Sequence, residues 1–357
     1  MTDAQSPRQS SMKRPTSEDV ARLAGVSRTT VSLVMNGVQS VSISAQTQAR
    51  VWEAIAKLDY HPHEAARNLR SQSSRLLSIA IPDVNNAHYL QLFSGVEAYA
   101  KEKGYGVFLS ITNFQLEEEK RCFEWLKQKR SDALILISET ERVLLEELQA
   151  IYQHKYVVTS VGAAILKKLD LQIDSIIPAS RVGEQQVIEH LAALGHRNIG
   201  YIYGVANTAT LGERLTTCLE IQRSLGIPVV ENWIRMCSPT QAGGYQATRT
   251  LLSDFSHEEL PTALVVVNDL LASAVLAALA EACVSVPKQM SVISFDNSPP
   301  AMYTIPPLTT IDYDGCMLGM EAARLTIERL TTPDRLPVHL ELPARLVVRQ
   351  STGPAKR

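Results

Sequence analysis

A chain of 357 residues with 45% hydrophobic and 20% charged residues has room for two or three domains of about 150 residues each, and its ordinary composition excludes a wholly disordered or fibrous protein. No stretch reaches the roughly 18 consecutive apolar residues of a membrane span, and residues 1–15 lack the apolar core of a secretory signal. These absences predict a cytoplasmic protein with no membrane partner.

The net charge of −2 is unevenly spread: up to residue 75 there are ten basic and six acidic side chains, so a basic head precedes an acidic body. That asymmetry suits a small nucleic-acid module joined to a body that binds something else. Residues 1 to about 13 are polar and aperiodic and are set aside from the fold. Thr16 caps a first helix with Glu18 and Asp19 in its opening turn and Val20, Leu23 and Ala24 on one face. Gly25 interrupts it. Ser27 caps a second helix in which Val31, Val34 and Met35 share a face, ending at Asn36-Gly37. A third runs from a Ser44 cap through Val51, Ile55 and Leu58 and stops before His61-Pro62, since a residue preceding proline avoids the helical region.

Beyond Arg75, short apolar runs at Leu76–Ile81, Val107–Ile111, Ala133–Ile137, Tyr156–Val158, Ile199–Tyr203, Ala263–Val267 and Ser291–Phe295 read as strands. Helical stretches at Tyr89–Lys103, Glu117–Lys129, Arg181–Leu194, Glu213–Leu225, Leu270–Ala282 and Cys316–Leu330 separate most of them. This alternation predicts an α/β body of two doubly wound parallel-sheet lobes behind an all-α head. The expected division is a head at 14–60, a linker at 61–75 and a body at 76–357.

The head carries Asp19-Val20-Ala21-Arg22-Leu23-Ala24-Gly25-Val26-Ser27 followed by Arg28-Thr29-Thr30-Val31-Ser32-Leu33-Val34-Met35-Asn36-Gly37, then Arg50-Val51-Trp52-Glu53-Ala54-Ile55, Leu58-Asp59-Tyr60-His61-Pro62 and Ala65-Ala66-Arg67-Asn68-Leu69-Arg70. This resembles the DNA-binding head of the LacI family of bacterial transcription regulators. The likeness returns at Leu194-Gly195-His196-Arg197, Asn268-Asp269, Phe295-Asp296, Pro307-Leu308-Thr309-Thr310-Ile311 and Arg345 to Pro354, and so spans nearly the whole chain. It implies a helix-turn-helix head, a body of the periplasmic-binding-protein type, and a homodimeric regulator, a repressor, that binds a pseudo-palindromic operator under the control of a small-molecule effector.

The residues themselves support that assignment. Small Ala21 allows the helices to cross closely, Gly25 permits the turn, and Val26 with Val31 closes the core, leaving Arg28, Thr29 and Ser32 outward. The first residues of such a second helix reach base edges in a major groove, where Arg pairs with guanine and Thr with a thymine methyl. Arg28 and Thr29 are therefore the expected base readers, and Ser27, Thr30, Ser32 and Asn36 the expected phosphate contacts. Leu33 stands where many family members carry arginine; it either meets a thymine methyl or packs. His63–Arg70 resembles the family's hinge helix, too short to persist alone. Ala65 and Ala66 allow close approach to a second copy, Leu69 can wedge between base steps, and Arg67 and Arg70 can meet phosphates.

In the body, ligands of open parallel sheets sit beyond the carboxyl ends of strands. Asn268 and Asp269 follow one strand, Asp296 follows another, and Arg214 opens a helix after a third. By resemblance, Arg214, Asn268 and Asp296 match effector-binding positions, and their chemistry suits an oxygen-rich molecule such as a sugar. A structural role as helix cap or internal ion-pair partner stands beside this, most of all for Asp269. Where relatives often read Asn-Pro-Phe-Phe, the chain has Asn86-Ala87-His88-Tyr89, placing His88 and Tyr89 at the cleft. Ser160 stands where relatives carry an acid, and Ala179-Ser180 replaces their Asp-Asn. Thr309 and Thr310 fall in an expected crossing between lobes, and His196 reads as a structural group serving helix-end carbonyls.

The five scattered cysteines lack metal-ligand spacing, and the motifs of dinucleotide, phosphoryl, acyl and zinc chemistry are missing. Neither a cofactor, a metal nor an enzymatic activity is predicted. Without the head, the same body would fit a sugar-binding carrier or a metabolic enzyme. No leucine heptad follows Arg345–Arg349, so nothing predicts an assembly beyond a dimer.

Overall fold

The computed structural model describes residues 15–35, 42–60, 73–137, 145–162, 173–204 and 209–356. Asn36 and the segment carrying Arg67, Leu69 and Arg70 lie outside the described residues. Internal contacts divide the chain into two units, Met1–Ser74 and Arg75–Arg357.

In the first unit, α1 (Ser17–Ala24), α2 (Arg28–Met35) and α3 (Ala45–Leu58) pack on one small core. Thr16 and Asp19 form a reciprocal capping box, satisfying two amides that the first turn leaves without helical partners. Gly25 closes α1 at φ 65°, a left-handed conformation that costs glycine little. The Ser27 Oγ accepts from the Thr30 amide at 3.1 Å and the Ser44 Oγ from the Thr47 amide at 3.2 Å, so both expected caps form. Val20, Ala21, Ala24, Val31, Val34, Val51 and Ala54 make the core, with Val26, Met35, Ile55 and Leu58 against it. Leu23 departs from expectation. It is 46% exposed, because the face of α1 that meets its neighbours is centred on Val20, Ala21 and Ala24.

The second unit holds two six-stranded sheets. The first contains β1 (Leu76–Ile81), β2 (Gly106–Ile111), β3 (Ala133–Ile137), β4 (Val157–Val161), β5 (Asp174–Pro178) and β11 (His339–Leu342) in the order β11-β5-β4-β3-β1-β2. The second contains β6 (Ile199–Gly204), β7 (Ile234–Cys237), β8 (Ala263–Val266), β9 (Ser291–Phe295), β10 (Thr309–Asp312) and β12 (Arg345–Val347) in the order β12-β10-β9-β8-β6-β7. Among the described residues all ladders are parallel except β10 with β12, which is antiparallel. Among the described residues the helices of this unit are α4 (Ala87–Glu102), α5 (Leu116–Lys127), α6 (Leu145–Gln153), α7 (Ser180–Ala193), α8 (Ala209–Ser224), α9 (Gln241–Asp254), α10 (Asp269–Glu281) and α11 (Gly315–Thr331).

The chain passes between sheets three times: from β5 into α7, from β10 into α11, and from β11 to β12. Thr309 and Thr310 belong to β10 itself, so the crossing begins after them rather than at them. The runs expected to be strands form, with Tyr156–Val158 extended to Val157–Val161. Strands β5, β7, β10, β11 and β12 and helices α6 and α9 had no clear apolar signal. β7, β11 and β12 are at most four residues long and only partly buried, so alternation is too brief to see.

Two long-range devices tie the unit together. Asp174, at the start of β5, is buried and accepts from Arg329 at 3.0 Å, Arg335 at 2.8 Å and the Val338 amide at 2.8 Å, anchoring the return of the chain to the first sheet. His196 serves a carbonyl, but a distant one: its Nε2 donates to Gly353 O at 3.0 Å while Nδ1 lies 2.9 Å from Thr262 Oγ1. Burial lowers its pKa, as suits a neutral ring that pins the terminal segment.

Candidate functional site

On the head, Ser27, Arg28 and Thr29 are exposed at the start of α2, and Thr30, Ser32 and Leu33 are half-buried. Among the described residues Arg28 makes no ion pair, leaving a free guanidinium at the helix N-terminus, where the peptide dipoles give a positive charge no stabilisation. The Ser27 and Thr30 hydroxyls lie 2.9 Å apart and are spent partly on capping. Leu33 is half-buried and is absent from the apolar residues packed on the head core.

The second unit contains a cleft of about 670 Å³, part of it open to solvent, at the carboxyl ends of strands from both sheets. Ile137, Val161 and Pro178 end β3, β4 and β5; Asn268, Asp296 and Tyr313 follow β8, β9 and β10. Asn86, His88, Tyr89 and Leu92 enter from the start of α4, Ser180 from α7, Arg214 from α8 and Leu318 from α11. Five predicted side chains, His88, Tyr89, Arg214, Asn268 and Asp296, are therefore brought together. Ser160 is not: it is buried in β4 with its Oγ unpartnered, and its neighbours Val161 and Gly162 line the cleft instead, because side chains alternate across a strand.

The polar groups have unequal freedom. Asn268 accepts from the Leu271 amide at 2.9 Å and so also caps α10. Asp296 is buried and held at φ 106°, a region unfavourable to any residue but glycine, and strain of this kind concentrates at functional positions. His88 Nδ1 is buried without a hydrogen-bond partner. Arg214 donates from Nη1 to Val267 O at 2.9 Å, and its guanidinium lies 4.7 Å from the Phe295 ring and 5.5 Å from the Tyr313 ring. These contacts hold the cation beside two aromatic rings.

Asp269 is a structural hub. Its carboxylate accepts from Ser294 Oγ at 2.5 Å, Thr310 Oγ1 at 2.8 Å, the Ser298 amide at 2.6 Å and Ser298 Oγ at 3.0 Å, tying together the ends of β9 and β10. Burial and the facing Asp296 charge raise its pKa, while those donors oppose the rise.

Two residues that sequence reasoning missed stand against Arg214. Glu184, 1% exposed, places Oε1 3.4 Å from Arg214 Nε, and burial lifts its carboxyl to about 7 against the pull of Arg214 and Arg181. The Tyr313 hydroxyl is buried and makes no hydrogen bond. Glu184 left one readable signal: it interrupts the otherwise apolar stripe Val187, Ile188 and Leu191 on the buried face of α7.

A helix-turn-helix head on a two-lobed body with a polar cleft defines the class of DNA-binding transcription regulators with an effector domain. Residues 16–63 match the family model of bacterial regulatory proteins of the lacI family, and residues 188–352 match that of the periplasmic binding protein-like domain. The chain is 31% identical to the HTH-type transcriptional repressor PurR of Actinobacillus pleuropneumoniae serotype 3 (strain JL03), over 94% of this chain and 98% of that protein. It is likewise 31% identical to the PurR repressor of Aliivibrio fischeri (strain MJ11), with the same coverage.

Among solved structures, the Lac repressor dimer bound to operator and the anti-inducer ONPF is similar at TM-score 0.83 and 27% identity, covering 96% of this chain and all of that one. The complex of transcriptional regulator CelR with cellobiose is similar at TM-score 0.68 and 27% identity, covering 95% and 100%. The chain belongs to the LacI family and is a DNA-binding repressor of that type with an effector-binding body.

Proposed function

We propose that the protein works in the cytoplasm as a homodimer whose two heads read the halves of a pseudo-palindromic operator, and that a small oxygen-rich metabolite, a sugar being one such molecule, sets operator affinity from the cleft. Arg28 and Thr29 read bases, Leu33 adds an apolar contact, and Ser27, Thr30 and Ser32 hold phosphates. The roles given to Asn36, Arg67, Leu69 and Arg70 rest on sequence alone. The observation that carries the ligand reading is the convergence of Arg214, Asn268 and Asp296 with His88 and Tyr89 on one cleft built from both sheets. A ligand there touches elements that the interlobe crossings join, so it can favour one arrangement of the lobes, and only that difference in affinity can drive a switch.

An apolar projection on the body supports a second copy: Met302, Tyr303 and Ile305 are 54%, 80% and 91% exposed. The test is selection of genomic fragments by the full-length protein with and without a metabolite panel, followed by the Asp296→Ala variant. A preferred two-fold site whose retention changes with one metabolite, and no longer changes in the variant, is expected. Retention of random duplex to the same extent would refute the reading.

A further inference from the structure

Beneath the cleft, three buried polar atoms without hydrogen-bond partners lie around one side chain: Arg214 Nε itself, Glu184 Oε1 and Tyr313 Oη. Arg214 and Asp296 are the charged residues that line the cleft among the described residues, and Glu184 sits one helical turn beyond the lining residue Ser180, on the same face of α7. Once Glu184 is ionised, above about pH 7, Arg214, Asp296 and Glu184 together sum to one negative charge. An anionic ligand reaching for Arg214 would meet a cation already balanced from behind, in a poorly solvated site where charges act strongly.

We propose that Glu184 is a specificity-determining residue that restricts the cleft to uncharged or cationic ligands by balancing Arg214 from the side away from solvent. Glu184 Oε1 stands 3.4 Å from Arg214 Nε, at the long edge of hydrogen-bond range, so Glu184 acts on Arg214 mainly through charge. Direction comes from Val267 O, Phe295 and Tyr313. The groups facing Glu184 are Arg214 and Cys218 of α8, Tyr313 beyond β10 and Arg181 on its own helix, while Arg345 of β12 is turned to Asp312 at 3.0 Å.

The inference rests on the cleft being the effector site, and its test uses no DNA. Sulfate, a dianion that does not titrate in the working range, is the probe, followed by calorimetry on the full-length protein near pH 8. Glu184→Gln should bind sulfate about tenfold or more tightly than wild type. Glu184→Asp should stay close to wild type, and adding Arg214→Gln to Glu184→Gln should abolish the gain. Near pH 5.5 the difference between wild type and Glu184→Gln should shrink, since the buried carboxyl is then neutral.

Equal sulfate affinity in wild type and Glu184→Gln near pH 8, or a gain that survives loss of Arg214, overturns the proposal. Should Glu184→Gln fail to fold, Glu184→Met, which removes the charge without leaving a polar atom to bury, carries the test, and sulfate affinity equal to wild type near pH 8 in that variant overturns the proposal. A flat sulfate result removes the role of Glu184 alone, whereas failure of every metabolite to alter operator binding removes the effector reading itself.

Discussion

Gly319→Ala sets two rules of helix physics against each other. Gly319 lies inside α11 where that helix crosses α4, and a Cβ added there would sit 2.0 Å from Leu92 O and 3.0 Å from the Val96 amide nitrogen. Gly95 on the opposing helix is in the same position, 2.0 Å from Cys316 O. Ordinary contact begins near 3.4 Å, and both obstacles are backbone, so the helices must part by more than about 1 Å. A gap of that size forfeits about half of the contact energy along the seam, and overpacking typically costs about 1–3 kcal/mol. Helix propensity acts the other way, since alanine is favoured over glycine by about 1 kcal/mol. With both obstacles in the backbone the clash should win, for a net loss of up to about 2 kcal/mol.

Because Leu92 and Leu318 line the cleft from these same helices, ligand response should fall with stability. Urea denaturation of the full-length protein measures the first and ligand calorimetry the second. Gly95→Ala added to Gly319→Ala should cost less than it does alone, because the helices have already separated. A Gly319→Ala protein as stable as wild type, or more so, is what propensity alone predicts and would refute the packing argument.

Other consequences can be measured in the same way. Burial raises the Glu184 carboxyl from its ordinary value near 4.5 to about 7, so its contribution to stability is full below pH 4.5 and is lost as pH rises through 7. Relative to wild type, Glu184→Gln should gain about 3 kcal/mol between pH 4.5 and pH 8, and parallel pH profiles in urea titrations would contradict this. Asp269→Ala strands the donors on Ser294, Ser298 and Thr310 and should cost about 3 kcal/mol or more; a loss below about 1 kcal/mol in the same titrations would mean that water replaces the carboxylate. Arg28→Ala should weaken binding to the selected operator and relax preference at one base pair per half-site by about 1–3 kcal/mol. Anisotropy titrations showing the same loss on every duplex would make Arg28 a phosphate contact instead.

What the sequence alone determined about this protein is local or repeated. The capping pairs Thr16–Asp19, Ser27–Thr30 and Ser44–Thr47 form because a side chain three residues from an amide reaches it whatever the rest of the chain does. The central strands were legible because strands buried on both faces read as short, mainly apolar runs. Cleft residues that directly follow such runs, Asn268 and Asp296, were legible for the same reason.

Tertiary structure decided the rest. Leu23 points outward because the neighbours of α1, not its own periodicity, select the buried face. Ser160 turns away from the cleft because strand pairing sets which side of β4 each residue faces. Asp174 meets Arg329 and Arg335 from more than 150 positions away, and Glu184 meets Arg214 only because α7 and α8 pack together after the chain has changed sheets. Local hydrogen-bond geometry can be read from spacing, whereas the partner of a buried charge depends on which distant surfaces close over it.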